Sequence, residues 1–185
     1  MMSIFANLTS FSPSQLKMAK IISKEFRKAG LPANVAAAAI ANAWHESRLN
    51  PEAVGDNGQS VGLFQLYDRG AGAGMTVEER KNPKTNTRKI IEVVKKKLDK
   101  FQPVLNSVAE ATKVFTIYVE VPANRYQKAE ERAETARKFF PTDIVSYGAN
   151  PLIVALLFIL PMGMTFATCY YVGKRNPKFL KLSNK

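Results

Sequence analysis

The sequence predicts a mainly α fold with one long glycine-rich loop and a small irregular β element, followed by a C-terminal transmembrane helix. Three observations lead there. Apolar residues recur at helical spacing through most of the chain up to Phe140. The segment from Pro51 to Asn82 breaks that pattern with Gly55, Gly58, Gly62, Gly70, Gly72 and Gly74. From Ile144 to Gly173 there is no charged residue.

In chain order, Ser12, Pro13 and Gln15 read as an N-cap, a first-turn proline and the third member of a capping box. Leu16, Ala19, Ile22 and Phe26 supply the apolar stripe of a first helix, which Gly30 closes. A second helix is expected from about Ala33 to Ser47. Its Val35–Ala43 stretch, VAAAAIANA, combines strong helix formers with small side chains, which suits close packing at the centre of a domain. The glycine-rich loop holds a short extended piece around Ser60–Leu66. Helices resume at about Asn86–Phe101, with Ile90, Val93, Val94 and Leu98 on one face, and at about Ser107–Val119, ahead of Pro122. A last helix runs from about Asn124 to Phe140, turning Lys128, Glu131, Arg132 and Lys138 outward. Long loops inside compact domains usually carry function.

The 27 Lys and Arg against 15 Asp and Glu give a net charge of +12. Such a surplus draws a protein to polyanions, whether nucleic acid, anionic lipid or an acidic cell wall, and composition alone does not choose. A single cysteine, Cys169, excludes an internal disulfide framework, and a single histidine, His45, excludes a His-rich metal cluster. No metal and no cofactor is expected. The N-terminus lacks the basic start and long apolar core of a secretory signal. Incorporation into a virus particle is the expected route to the site of action.

The run Pro151–Val172, PLIVALLFILPMGMTFATCYYV, is long enough to cross a hydrocarbon core of about 30 Å at about 1.5 Å per residue. Pro161 would kink such a helix without forbidding it. Tyr170 and Tyr171 stand at one end, where aromatic rings favour the membrane interface. Lys174, Arg175, Lys178, Lys181 and Lys185 follow with no acid among them. In a bacterial membrane this bias leaves the tail cytoplasmic and the main domain on the wall side. In a virion membrane the same tail is a candidate contact for nucleic acid. Cys169 inside the run is expected to be inert packing.

The chemistry concentrates in Ala43–Asp68, AWHESRLNPEAVGDNGQSVGLFQLYD. Glu46 lies near the C-terminal end of an alanine-rich helix beside Trp44. Apolar surroundings and the negative end of the helix dipole both favour the protonated carboxyl. A carboxylic acid that keeps its proton near neutrality suits protonation of a departing sugar oxygen. The loop adds Asp56 and Asp68, with glycines that let a polymer approach the backbone. His45 adjoins Glu46, but neighbours on a helix point apart, and a structural or solvent-facing role is expected for it. Trp44 is expected in the core.

These residues carry a resemblance. HES followed by SVGLFQL resembles the Glu-Ser and Gly-Leu-Met-Gln signature of lysozyme-like lytic transglycosylases and goose-type lysozymes. AGLPANVAAAAIANAWHESRLNPEAV is similar to the start of phage tail lysozymes. NPKTNTRKIIEVVKKKL resembles an Asp-Pro-x-x-Asn segment of the same superfamily, and IYVEVPANR the Phe-Glu-Arg-Pro element of phage lysozymes, with Val121 where arginine is usual.

The resemblance implies a lysozyme-like fold over residues 1–143 that cleaves the β-1,4 bond between N-acetylmuramic acid and N-acetylglucosamine in bacterial peptidoglycan. Residues 144–150 become a linker, 151–173 the transmembrane helix and 174–185 a basic tail. Glu46 is implied as general acid/base. Ser47, Ser60, Gly62 and Gln65, with Tyr118 or Tyr126, are implied as sugar-binding residues, while Asn82, Pro83 and Asn86 shape the loop. One glutamate suffices for a transglycosylase. An inverting hydrolase needs a second carboxylate about 6.5–9.5 Å away to activate water, and Asp56 and Asp68 are the candidates. The setting implied is a membrane-associated virion protein that acts at the host cell envelope, in the periplasm, among other virion proteins during genome delivery. A catalytically silent, membrane-anchored structural or channel protein of a virion is the alternative, since a fold does not dictate a function.

Overall fold

The computed structural model describes residues 11–141. The expected transmembrane helix at 151–173 and the basic tail lie outside them, and among the described residues no helix is long and apolar enough to cross a membrane.

Helix α1 (Pro13–Lys28) begins as its sequence dictates: the Ser12 hydroxyl accepts from the Gln15 N–H, the Gln15 side chain accepts from the Ser12 N–H, and Pro13 opens the first turn. Helix α2 (Ala33–Ser47) is the hub. Every residue from Asn34 to Ala43 is buried, because α1, α6 (Val108–Phe115) and α7 (Arg125–Phe139) pack against different sides of it. Alanine side chains make that possible by letting neighbouring helix axes come close. Arg48 (φ 55°) and Leu49 (φ 59°) then take two successive left-handed conformations, which turn the chain sharply out of the helix.

Three two-residue strands follow, β1 (Val54–Gly55), β2 (Ser60–Val61) and β3 (Leu66–Tyr67), paired antiparallel in that order. Val54 faces Val61, and Val61 in turn faces Leu66. So small a sheet needs outside support. Asn86, fully buried on α4 (Pro83–Lys95), provides it: its Oδ1 accepts from the Phe64 N–H, and its Nδ2 donates to the carbonyls of Val61 and Arg80. Arg80, also buried, donates to the carbonyls of Gln59 and Leu66. Leu63, Phe64 and Leu66 enter the core, where Phe64 stacks on Phe115 with centroids 6.2 Å apart.

The structure corrects several helix expectations. The expected loop contains a short helix, α3 (Val77–Lys81), started by a Thr76–Glu79 capping box that the surrounding glycines had masked. Helix α4 begins at Pro83 rather than Asn86, since Asn82 caps the Lys84 and Thr85 N–H groups. It stops at Lys95, and α5 (Leu98–Phe101) is separate from it. After α6 the chain widens into a π-helical turn over Thr116–Glu120, closed by Val121 in a left-handed conformation (φ 51°). A β-branched residue there is strained, and π turns gather at functional sites. Finally, Arg132 of α7 does not point outward. It is 5% exposed and lies among Ala129, Ala133 and Ala136 on the buried face.

Candidate active site

Glu46 sits in the last turn of α2, its side chain 21% exposed. Its surroundings are not the apolar ones expected. Arg132 Nη2 lies 2.6 Å from Glu46 Oε1, so the carboxyl has a guanidinium partner from α7. The same guanidinium donates through Nη1 to Asn42 Oδ1 at 2.8 Å. Asn42, one turn before Glu46 and fully buried, also accepts from the Thr116 hydroxyl at 2.9 Å and donates to Ala38 O. Residues four apart share a helix face, so Asn42 and Glu46 present one polar edge to α7 and the π turn.

Glu120, at the end of that turn, is the other carboxyl of the site. Its Oε1 is buried without a hydrogen-bond partner. Burial first, and then the negative charge of Glu46, push its pKa well above the usual carboxylate range, with the Arg132 charge opposing them. The structure thus gathers Asn42, Thr116, Glu120 and Arg132 around the predicted Glu46. None was singled out from sequence as a site residue. Two signals were present: Asn42 interrupts an otherwise apolar run, and Glu120 falls at the glutamate of the Phe-Glu-Arg-Pro-like element.

The loop residues have other partners. The Ser47 hydroxyl lies 2.8 Å from Leu63 O and 3.1 Å from Ala43 O, tying the end of α2 to the β2–β3 turn. The Ser60 hydroxyl donates to Asp56 Oδ2 within the loop. Gln65, itself left-handed (φ 44°), donates from Nε2 to the carbonyls of Ala53 and Gly62. At Gly62 (φ 86°) a Cβ would meet Arg80 O at 2.2 Å and Asn86 Nδ2 at 2.4 Å, so glycine is required by both conformation and space. Asp68 lies 3.8 Å from Arg69, and its buried Oδ1 has no hydrogen-bond donor. Neither Asp56 nor Asp68 forms a hydrogen bond or ion pair with Glu46. Tyr118, on the π turn, is 41% exposed near Lys100, and Tyr126, on the first turn of α7, is 67% exposed beside Arg125.

Behind the site, Trp44 stacks on Phe11 (5.4 Å) and meets Phe139 edge-on (5.1 Å), packing against the core as expected. His45 Nε2 is 2.9 Å from the Thr135 hydroxyl, and Nδ1 is 3.8 Å from Glu131. Burial and the Arg132 charge hold its pKa below the ordinary histidine value, against the pull of Glu131. Among the described residues, no group of His, Cys, Asp or Glu is placed to hold a metal ion.

A family profile described as phage tail lysozyme matches residues 17–142, which takes in α1 from its second turn, every later helix described above and the whole Glu46 constellation. The chain belongs to the phage tail lysozyme family. No curated protein and no solved structure matches it. The mainly helical architecture with its small three-stranded sheet fits a lysozyme-like fold. Membership makes this phage tail lysozyme relative a virion-associated, lysozyme-type glycosidase with peptidoglycan as substrate.

Proposed function

We propose that this phage tail lysozyme relative cleaves the β-1,4 bond between N-acetylmuramic acid and N-acetylglucosamine, with Glu46 as general acid and then general base. The observation that carries the reading is a partly exposed carboxyl at the end of a helix buried from Asn34 to Ala43, gripped by a buried arginine, beside a glycine-rich loop fixed to the same helix end through Ser47. A glycosidic oxygen leaves readily only when it is protonated, and a carboxyl held in place by a neighbouring guanidinium does this without reorganisation.

We favour the single-carboxylate route, in which Glu46 next accepts the proton of the sugar's own 6-hydroxyl and an anhydro end is released. Its support is that Asp56 is engaged by Ser60 and that the carboxyl electrostatically linked to Glu46 is the half-buried Glu120. Hydrolysis is the second reading, favoured by the unfilled acceptor Oδ1 of Asp68. In either case the local opening of the wall would serve genome delivery, with exposed Tyr118 and Tyr126 offering ring faces to sugars. The apolar sequence of 151–173 would tether the enzyme to a membrane.

The test is digestion of purified peptidoglycans from several bacteria by the full-length chain and by Glu46→Gln, with mass spectrometry of the products. Anhydro ends that vanish in the variant are the expected result. Reducing ends would bring Asp68 or Asp56 into the mechanism. No glutamate-dependent product from folded protein would overturn the enzymatic reading and leave a silent virion protein.

A further inference from the structure

Cations are spread unevenly over this molecule. Helix α1 carries five of them against one acid, whereas α7, of nearly the same length, sets three acids among its five. On α1 they fall in register. Lys17, Lys20, Lys24 and Arg27 are three, four and three residues apart, so they share one exposed face over about 15 Å of helix at about 1.5 Å per residue. On α4, Lys84, Arg88 and Lys95 stand four and seven residues apart and form a second exposed stripe. Glu25 joins the two. It takes Lys28 Nζ at 3.0 Å from its own helix and Arg88 Nε at 2.8 Å from α4, so the stripes run side by side across the seam, where the acid is already neutralised.

Lys17, Lys20, Lys24, Arg27, Lys84 and Lys95 form no ion pair among the described residues, whereas Lys81 meets Glu52 and Lys113 meets Glu110 and Glu130. Like charges at these spacings disfavour a helix, so the face is balanced only by anions from outside. Its make-up narrows the choice of partner. Leu16 and Ile21 between the lysines are half-buried, and no large apolar side chain is exposed on α1 or α4 to insert into a bilayer. No exposed aromatic ring is present to stack a base. Lysines are flexible point charges, which suit anions spaced along a mobile polymer.

We propose that the α1–α4 face is a second peptidoglycan contact, taking the carboxylates of the peptide stems while the Glu46 end works on the glycan. Stems recur along every glycan strand, so a row of lysines meets a row of carboxylates. Many weak contacts then hold the polymer near the site without fixing its register. The face acts by retention and takes no part in bond cleavage.

The proposal rests on peptidoglycan being the substrate, and binding separates it from catalysis. Co-sedimentation of the full-length chain with purified sacculi is measured in the Glu46→Gln background, which is expected to leave the wall uncut. Lys20→Glu combined with Lys24→Glu is expected to weaken binding at least about tenfold. Arg137→Glu combined with Lys138→Glu, an equal charge change on exposed residues of α7, is expected to weaken it less than about threefold. Sacculi whose carboxylates have been converted to amides are expected to bind the parent no better than untreated sacculi bind the Lys20 and Lys24 variant. Equal losses in the two double variants would reduce the effect to net charge, and undiminished binding to amidated sacculi would remove the carboxylate as ligand; either overturns the proposal. So does a loss in the Lys20 and Lys24 variant that is larger for duplex DNA or for phosphatidylglycerol vesicles than for sacculi, which would assign the face to nucleic acid or to lipid. If the wild type cuts no wall, the functional reading fails, and sacculus binding still decides this one.

Discussion

The Ser47 hydroxyl reaches the Leu63 carbonyl at 2.8 Å, so the residue after Glu46 ties the end of α2 to the turn of the small sheet. The loop and the candidate acid therefore hold their relative position through one short contact. Ser47→Ala is expected to cost about 1 kcal/mol of stability, the net worth of an ordinary hydrogen bond. Peptidoglycan cleavage should fall by more than that loss explains, because small misplacements at a reacting centre are costly. Denaturant unfolding and digestion of the same preparation check this; equal, small effects on both would assign Ser47 to folding alone.

Gly62 lies where β2 leaves the sheet, and α3 and α4 close directly over it. Replacing it with alanine forces a left-handed residue and sets a methyl group 2.2 Å from Arg80 O and 2.4 Å from Asn86 Nδ2. Both neighbours are buried and hydrogen-bonded, so neither yields easily. Gly62→Ala should destabilise by roughly 3 kcal/mol or more, the sum of backbone strain and overpacking. Gly58 is also left-handed, but a Cβ there meets nothing within 4 Å. Gly58→Ala should cost only about 1–2 kcal/mol. A Gly62 variant as stable as the Gly58 variant would contradict the packing account.

How much of this was legible in the sequence depends on which interactions are local. The α1 capping box, the burial of the alanine helix and the glycine-rich loop follow from neighbouring residues, and they were readable. Thr76 and Glu79 were equally local, but glycines on one side and Asn82-Pro83 on the other hid a helix of one turn. Arg132 was not readable. On a helix whose surface is mostly charged, nothing in its own neighbourhood distinguishes it from the exposed Lys138; the difference is Asn42 and Glu46, some ninety residues earlier. Glu120 failed for a related reason, since the π turn that swings it inward departs from the regular 3.6-residue helix that pattern reading assumes.

Asn42 is the hinge of that long-range network. Its Oδ1 accepts from both Thr116 and Arg132, and nothing else in the site replaces it. Asn42→Ala should leave the buried Arg132 Nη1 short of an acceptor, while the Thr116 hydroxyl keeps the Thr112 carbonyl, and cost about 1–3 kcal/mol. It also frees Arg132 to shift against Glu46, so residual activity is expected to drop even in the fraction that remains folded. Asn42→Asp is the informative companion. It keeps the acceptor and adds a negative charge beside Glu46 and Glu120, so it should fold better than alanine yet move the pH profile of cleavage. An unchanged profile in Asn42→Asp would argue against electrostatic coupling within the network.

Glu25 ties α1 to α4 on the other side of the molecule. Its carboxylate is 4% exposed because Arg88 Nε at 2.8 Å and Lys28 Nζ at 3.0 Å cover it, not because it lies deep. The Arg88 hydrogen bond holds its pKa below the ordinary value, outweighing the cost of burial, and Lys28 adds to the effect. A folded-state pKa below the unfolded one means that the unfolded chain binds more protons at acid pH. The contribution is therefore fully present above about pH 4.3, the ordinary glutamate value, and is lost as the pH falls through the depressed value. Glu120 acts with the opposite sign, since its raised pKa favours the folded state at low pH and weakens it as the pH rises. The two are separated by comparing the wild type with Glu25→Gln, in which the Glu120 contribution cancels. At neutral pH the wild type should be the more stable, and the gap should close below pH 4.3. A gap that stays constant down to the lowest pH tested would mean that the carboxylate charge of Glu25 contributes nothing and that its packing alone matters.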